Sequence, residues 1–218
     1  MSTRALAVVA VAGQLLFVLA WVAAGLAQPG YSAADQTVSE LFSRTAAHPW
    51  IVRAGIALLV PSYLASAALL HRRLGRGGLA AAAMFLLAVP LALIVDANPL
   101  DCMTNGSAAC AAKVAVGDVS AAHDLHNSTA VTLQLCLVAT PFAVAFALRA
   151  SRRASVLLAI AAVGVATVAW VGLSGPGHSG YGIAQRTTFG FVNVWVTLIA
   201  IAAARGAGRD AARNTVAP

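Results

Sequence analysis

The chain has 218 residues, 60% of them hydrophobic and 10% charged, with a mean hydropathy of +0.83 and a formal net charge of +7. Soluble domains carry roughly 25% charged residues, so this composition excludes the soluble globular class. The isoelectric point near 10.4 would suggest nucleic acid in a soluble protein, but no basic stripe interleaved with aromatics occurs, and no nucleic-acid partner is expected.

Read in chain order, the sequence gives six apolar spans, each about 20 residues long, as a helix crossing a bilayer requires. Span one covers 5–26. Its end, Gly25-Leu26-Ala27, resembles a small-residue cleavage site, but the apolar run exceeds the roughly 7–15 residues of a signal-peptide core, so a retained helix is expected. The loop at 27–49 contains Ser32-x-x-Asp35 and Thr37-x-x-Glu40, both matching the capping-box pattern. Val38, Leu41 and Phe42 share one helical face there, which predicts a short amphipathic helix on the membrane surface or tucked over the bundle. Span two covers 50–70, with Trp50 at the interface, Pro61 as a kink and Ser62 as its partner. Span three covers 78–95, span four 123–148, span five 154–173 and span six 183–204. The tail, 205–218, is small, polar and basic and is expected to be disordered. The fold class is therefore an all-α membrane bundle of six helices over 1–204.

The charges sort by side. Ten of the 14 basic residues, from Arg4 to Arg213, fall at one end of the spans with a single acid, Asp210. The other end holds Arg44, Arg53, Lys113 and Arg186 with six of the seven acids and four of the five histidines. The positive-inside rule then places both termini in the cytoplasm of a multi-pass protein of the plasma membrane, with membrane lipids as its surroundings and partners. Any chemistry belongs to the outward face, where the polar groups are.

Cys102 and Cys110 lie in one outward loop, in an oxidising compartment, and Cys136 lies inside a span. A turn at Asn105-Gly106 would bring the two loop cysteines within bridging distance, so a Cys102–Cys110 disulfide is expected.

The densest polar run is His123-Asp124-Leu125-His126-Asn127-Ser128-Thr129, entering span four. On a helix His123, His126, Asn127, Ala130 and Gln134 share a face. Asp96 ends span three and Arg186 opens span six at the same depth. Ionisable groups at that depth pair inward, which predicts one patch of Glu40, Asp96, His123, His126 and Arg186, with Glu40 facing Arg186. Asp96 could instead pair with Arg53, leaving the patch structural. His123, His126 and Asp96 could hold a divalent metal, although the spacing matches no zinc motif closely. No cofactor is otherwise implied. A Gly-x-Ser-x-Gly elbow and a phosphate cradle are both missing from the sequence.

Tyr31-Ser32, then Val38-Ser39-Glu40-Leu41, then a histidine at the head of span four, His123 or His126, and Gln185-Arg186 near the start of span six resemble a known pattern. It is that of the bacterial and archaeal six-helix membrane family filed as domain of unknown function nine-nine-eight, with Val38 in place of the usual isoleucine. A fainter similarity runs to the eukaryotic Frag1/DRAM/Sfk1 group, linked to lipid and GPI-anchor handling. That kinship implies Glu40, His126 and Arg186 as one shared site. Three readings of function follow. The first is recognition of a lipid headgroup or partner at an outer polar pocket. The second is a membrane-embedded, metal-assisted lipid hydrolase using His123, His126 and Asp96. The third is a transporter, which ranks last because Ser62, Gln134 and Thr167 are the only polar candidates near mid-membrane.

Overall fold

The computed structural model describes residues 1–104, 107–151, 153–175 and 178–214, the last eight as backbone only. Six long helices dominate: α1 (Thr3–Ala27), α2 (Pro49–Leu74), α3 (Leu79–Ala97), then, after the short α4 (Ala108–Ala115), α5 (Ala121–Ala147), α6 (Arg153–Ser174) and α7 (Tyr181–Asn214). One-turn 3-10 segments occur at Ser39–Phe42 and Gly75–Gly78. Helix starts follow local chemistry. Ser2 caps α1 by accepting from the Ala5 amide at 3.1 Å, and Pro49 occupies the first turn of α2. Gly75, at φ 52°, ends α2 in a backbone conformation that favours glycine.

Five runs are apolar and long enough to cross a membrane, and the run Pro49–Ala97 holds both α2 and α3. These two are antiparallel: Arg53 meets Asp96 near one end, and the Tyr63 and Phe85 rings lie 6.1 Å apart between centroids further along. Leu15, Leu19, Leu86, Leu135, Leu158 and Val163 are exposed on the outside of the bundle, an apolar coat that only lipid satisfies. The chain is a multi-pass membrane protein.

The helices form a closed ring in chain order, α1–α2–α3–α5–α6–α7, with α7 packing back on α1 and α2 touching α7 across the middle. Small residues in every helix allow this close approach. Polar side chains add cross-links. Ser62 donates to the Ala10 carbonyl at 2.6 Å and accepts from Gln14 Nε2 at 2.9 Å, which makes it a bond between α1 and α2 rather than a local partner of Pro61. Trp195 Nε1 donates to Thr140 Oγ1 at 2.6 Å, joining α7 to α5.

Two elements differ from the sequence reading, and a third was not foreseen. The first-loop helix is a single 3-10 turn, and Val38, Leu41 and Phe42 are buried in the bundle, because the apolar face is wide enough for one turn only. α7 continues to Asn214, past Ala204 and into the tail expected to be disordered, since alanine and arginine there are strong helix formers. α4, in the second loop, has its start capped by Ser107.

Candidate functional site

The loop end of the bundle is closed by two lids. Residues 28–48 form the first. Thr37 and Glu40 make a reciprocal capping box: the Thr37 amide donates to Glu40 Oε2 at 2.7 Å, and the Glu40 amide donates to Thr37 Oγ1 at 3.3 Å. The lid is bolted to α7. Arg186 Nη1 donates to the Ala33 and Gln36 carbonyls, each at 2.7 Å, and to Gly182 O at 3.0 Å, while Nη2 donates to the Tyr31 hydroxyl. The guanidinium carbon also lies 5.3 Å from the Trp21 ring centroid and 5.5 Å from that of Tyr31. Gln185 Oε1 accepts from the Val38 amide at 2.7 Å. Gly182 is required here, because a Cβ would lie 2.7 Å from the Ala33 carbonyl. Burial pushes the Tyr31 phenol up to about 12 against the opposing pull of Arg186, so the hydroxyl keeps its proton and donates to Thr37 O at 2.9 Å. Asp35 accepts from the Gly180 amide at 3.0 Å and from Ser32 Oγ at 2.8 Å, which hold its carboxyl below the ordinary range.

The second lid is residues 98–120. Cys102 and Cys110 are joined in a disulfide with Cα atoms 6.0 Å apart, as expected; the proposed turn at Asn105-Gly106 lies outside the described residues. Asp101 accepts from the Ser120 amide at 2.6 Å and from its hydroxyl at 2.7 Å, fixing the start of α5, and those bonds draw its carboxyl below the ordinary range. The lids are tied to each other: Arg44 reaches Asp101 at 3.7 Å, and the Met103 amide donates to Thr45 Oγ1 at 3.2 Å.

Beneath the lids is a cavity of about 460 Å³. Phe17, Ile56, Leu59, Leu137, Val168 and Val192 make its apolar wall. Its polar groups come from the first lid (Thr37, Ser39, Glu40), from α1 (Gln14), from one face of α5 (His123, His126, Asn127, Gln134) and from α7 (Gln185, Thr188, Asn193). At Gly164 helices α5, α6 and α7 close tightly, for a Cβ there would lie 2.7 Å from the Phe191 ring and 2.9 Å from Val138. Toward the lids α5 and α6 leave the cavity between them. Asn127 and Val131 on α5 and Gly172 on α6 line it and are also exposed, which marks an opening on the flank of the bundle.

The five residues singled out from sequence separate into three settings. Glu40, 3% exposed, and His123 and His126 line the cavity. Arg186 lies behind the first lid, its Nη groups directed to Ala33, Gln36, Gly182 and Tyr31, while Glu40 accepts from Thr37. Asp96 is at the rim, where Arg53 Nε donates to it at 3.1 Å. Among the described residues no three His, Cys, Asp or Glu side chains are gathered as metal ligands. His123 Nδ1 accepts from the Asp101 amide at 3.3 Å, and His126 Nδ1 lies 2.9 Å from the Asn98 carbonyl. A carbonyl only accepts, so His126 Nδ1 carries the proton and Nε2 is left as an acceptor. Nε2 is buried without a partner, and so is Gln134 Oε1, eight residues along the same helix. Gln14 was not singled out from sequence, since a lone glutamine inside an apolar run carries no motif.

The fold and the site define a class: a six-helix membrane protein with a lidded cavity opening on its flank. The chain belongs to the family described as "Protein of unknown function (DUF998)", whose model matches residues 11–202. No curated protein and no solved structure matches the chain. The residues that carried the resemblance, among them Tyr31, Ser39, Glu40, His123 or His126, Gln185 and Arg186, belong to the first lid, its anchor on α7, or the cavity wall beneath it.

Proposed function

We propose that the protein binds one amphiphilic lipid, admitted from the bilayer between α5 and α6, with its polar end held under the lids and its chain along the apolar wall. The observation that carries this reading is the cavity: about 460 Å³, apolar over most of its wall, polar beneath the lids, and open on the flank that faces lipid. Sites of small ligands run from about 300 to 1,000 Å³ and combine these same features. The charge distribution supports an orientation with both termini in the cytoplasm and the lids outside the plasma membrane. Alkaline phosphatase fused after Arg213 is then inactive in a bacterial host, and an active fusion reverses the orientation.

The test of binding is native mass spectrometry of protein extracted from membranes. A co-purifying lipid is expected, and Val131→Trp, which fills the opening, is expected to lose it while the melting temperature changes little. Retention of the same lipid by Val131→Trp would place it elsewhere on the protein.

A further inference from the structure

We infer that the polar end of the bound amphiphile is rich in hydrogen-bond donors and carries no phosphate: an amine or polyol headgroup. This rests on the reading that the cavity holds a lipid, and it follows from what the wall offers. The acceptors are His126 Nε2 and Gln134 Oε1, both buried and unmatched. His126 is 1% exposed, and its tautomer is set by the Asn98 carbonyl, so its free nitrogen can only accept. The charge on the wall is that of the Glu40 carboxylate, and among the described lining residues there is no lysine or arginine. The nearby cations are directed elsewhere. Arg186 binds the carbonyls of the first lid, Arg53 binds Asp96 and Arg44 binds Asp101.

A buried unmatched acceptor costs free energy until a donor reaches it. Two of them on one face of α5 select a headgroup that brings hydroxyl or ammonium hydrogens. A phosphate brings negative charge into a wall that already holds a carboxylate and, among the described lining residues, no lysine or arginine. An ammonium and a polyol share the donor chemistry that defines the class.

The experiment uses delipidated full-length protein in neutral detergent and three single-chain amphiphiles of equal chain length: a long-chain primary amine, a monoacylglycerol and a lysophosphatidic acid. The amine or the monoacylglycerol is expected to bind at least tenfold more tightly than the phosphate. Gln134→Leu is expected to weaken the preferred ligand about tenfold, the equivalent of one hydrogen bond, and to leave the phosphate lipid unchanged. Gln134 is half-buried on a helix, so the variant is expected to fold; His126→Phe serves as the second variant, with its melting temperature measured alongside. If the phosphate binds as tightly as the others, the headgroup assignment is overturned and the cavity reading stands. Equal loss of all three ligands in Gln134→Leu overturns the assignment as well. If none of the three binds, the cavity reading itself falls.

Discussion

At the basic end of the bundle the connections are short, Gly75–Gly78 between α2 and α3 and a stretch of five residues between α5 and α6 that turns at 148–150, and polar groups there serve the backbone, as where Arg73 Nε donates to the Ala203 carbonyl at 3.1 Å. At the opposite end the connections are long, and each brings backbone amides and carbonyls that need partners at the edge of an apolar phase. Arg186, Gln185, Asp35 and Asp101 supply those partners, and the bundle opens beneath them into a cavity. The contrast shows why function gathers where loops are long. Short turns let helices close on one another, whereas long loops must be knitted together, and the knitting leaves room.

The largest expected effect breaks that knitting. Arg186→Gln removes charge-assisted bonds to the Ala33 and Gln36 carbonyls and the stacking on Trp21 and Tyr31, and should cost about 3 kcal/mol. Arg76→Gln, exposed at the basic end, should change stability by less than about 0.5 kcal/mol. Thermal unfolding followed by cysteine alkylation of Cys136 measures both. Equal shifts would erase the distinction between the ends. Exchanging the charges, Glu40→Arg with Arg186→Glu, should restore nothing, since each side chain is held by the lid backbone.

Opening the second lid is next. Cys102→Ser with Cys110→Ser should lower stability by up to about 2.5 kcal/mol, the loop-closure contribution of a bridge this short. Hydrogen exchange should rise across residues 98–120 and stay unchanged at the Gly75–Gly78 turn. Gly164→Val tests the point where the cavity ends. The added methyls meet Phe191 and Val138, and overpacking of about 1–3 kcal/mol is expected at an otherwise well-packed seam.

Acid gives the smallest effect. Asp35 and Asp101 have folded-state values below their ordinary 3.8, so their contribution is present above that value and is lost as pH falls through the lower folded one. Exchange in both lids should therefore rise below about pH 4 while the basic end is unaffected. Asp101→Asn should flatten the response in the second lid.

The family pattern acquires a physical meaning in this arrangement. Tyr31 is far in sequence from Gln185 and Arg186, yet each of the three bonds the same stretch of backbone. The glutamate of the first loop was legible as a capping residue, and it is one; its expected partner was Arg186, but Thr37 and the lid backbone take those bonds. Asp96 was legible as an ionisable group needing a partner, and Arg53 rather than Arg186 answers it, because α2 and α3 are adjacent in the ring and α3 and α7 are not.

The sequence by itself determined six spans, their boundaries to within a few residues apart from the end of α7, the capping box and the disulfide. These follow from apolar periodicity, local capping chemistry and a short separation along the chain, all of which are local. Only the tertiary structure decided that the ring closes through α1 and α7, that Gln14 faces the same cavity as Glu40 and the α5 face of His123, His126 and Gln134, and that Arg186 faces away from it. Such facts depend on helix rotation and on the order of packing. In an apolar bundle whose faces are nearly alike, no hydrophobic pattern encodes either, and the few polar bonds between helices settle them.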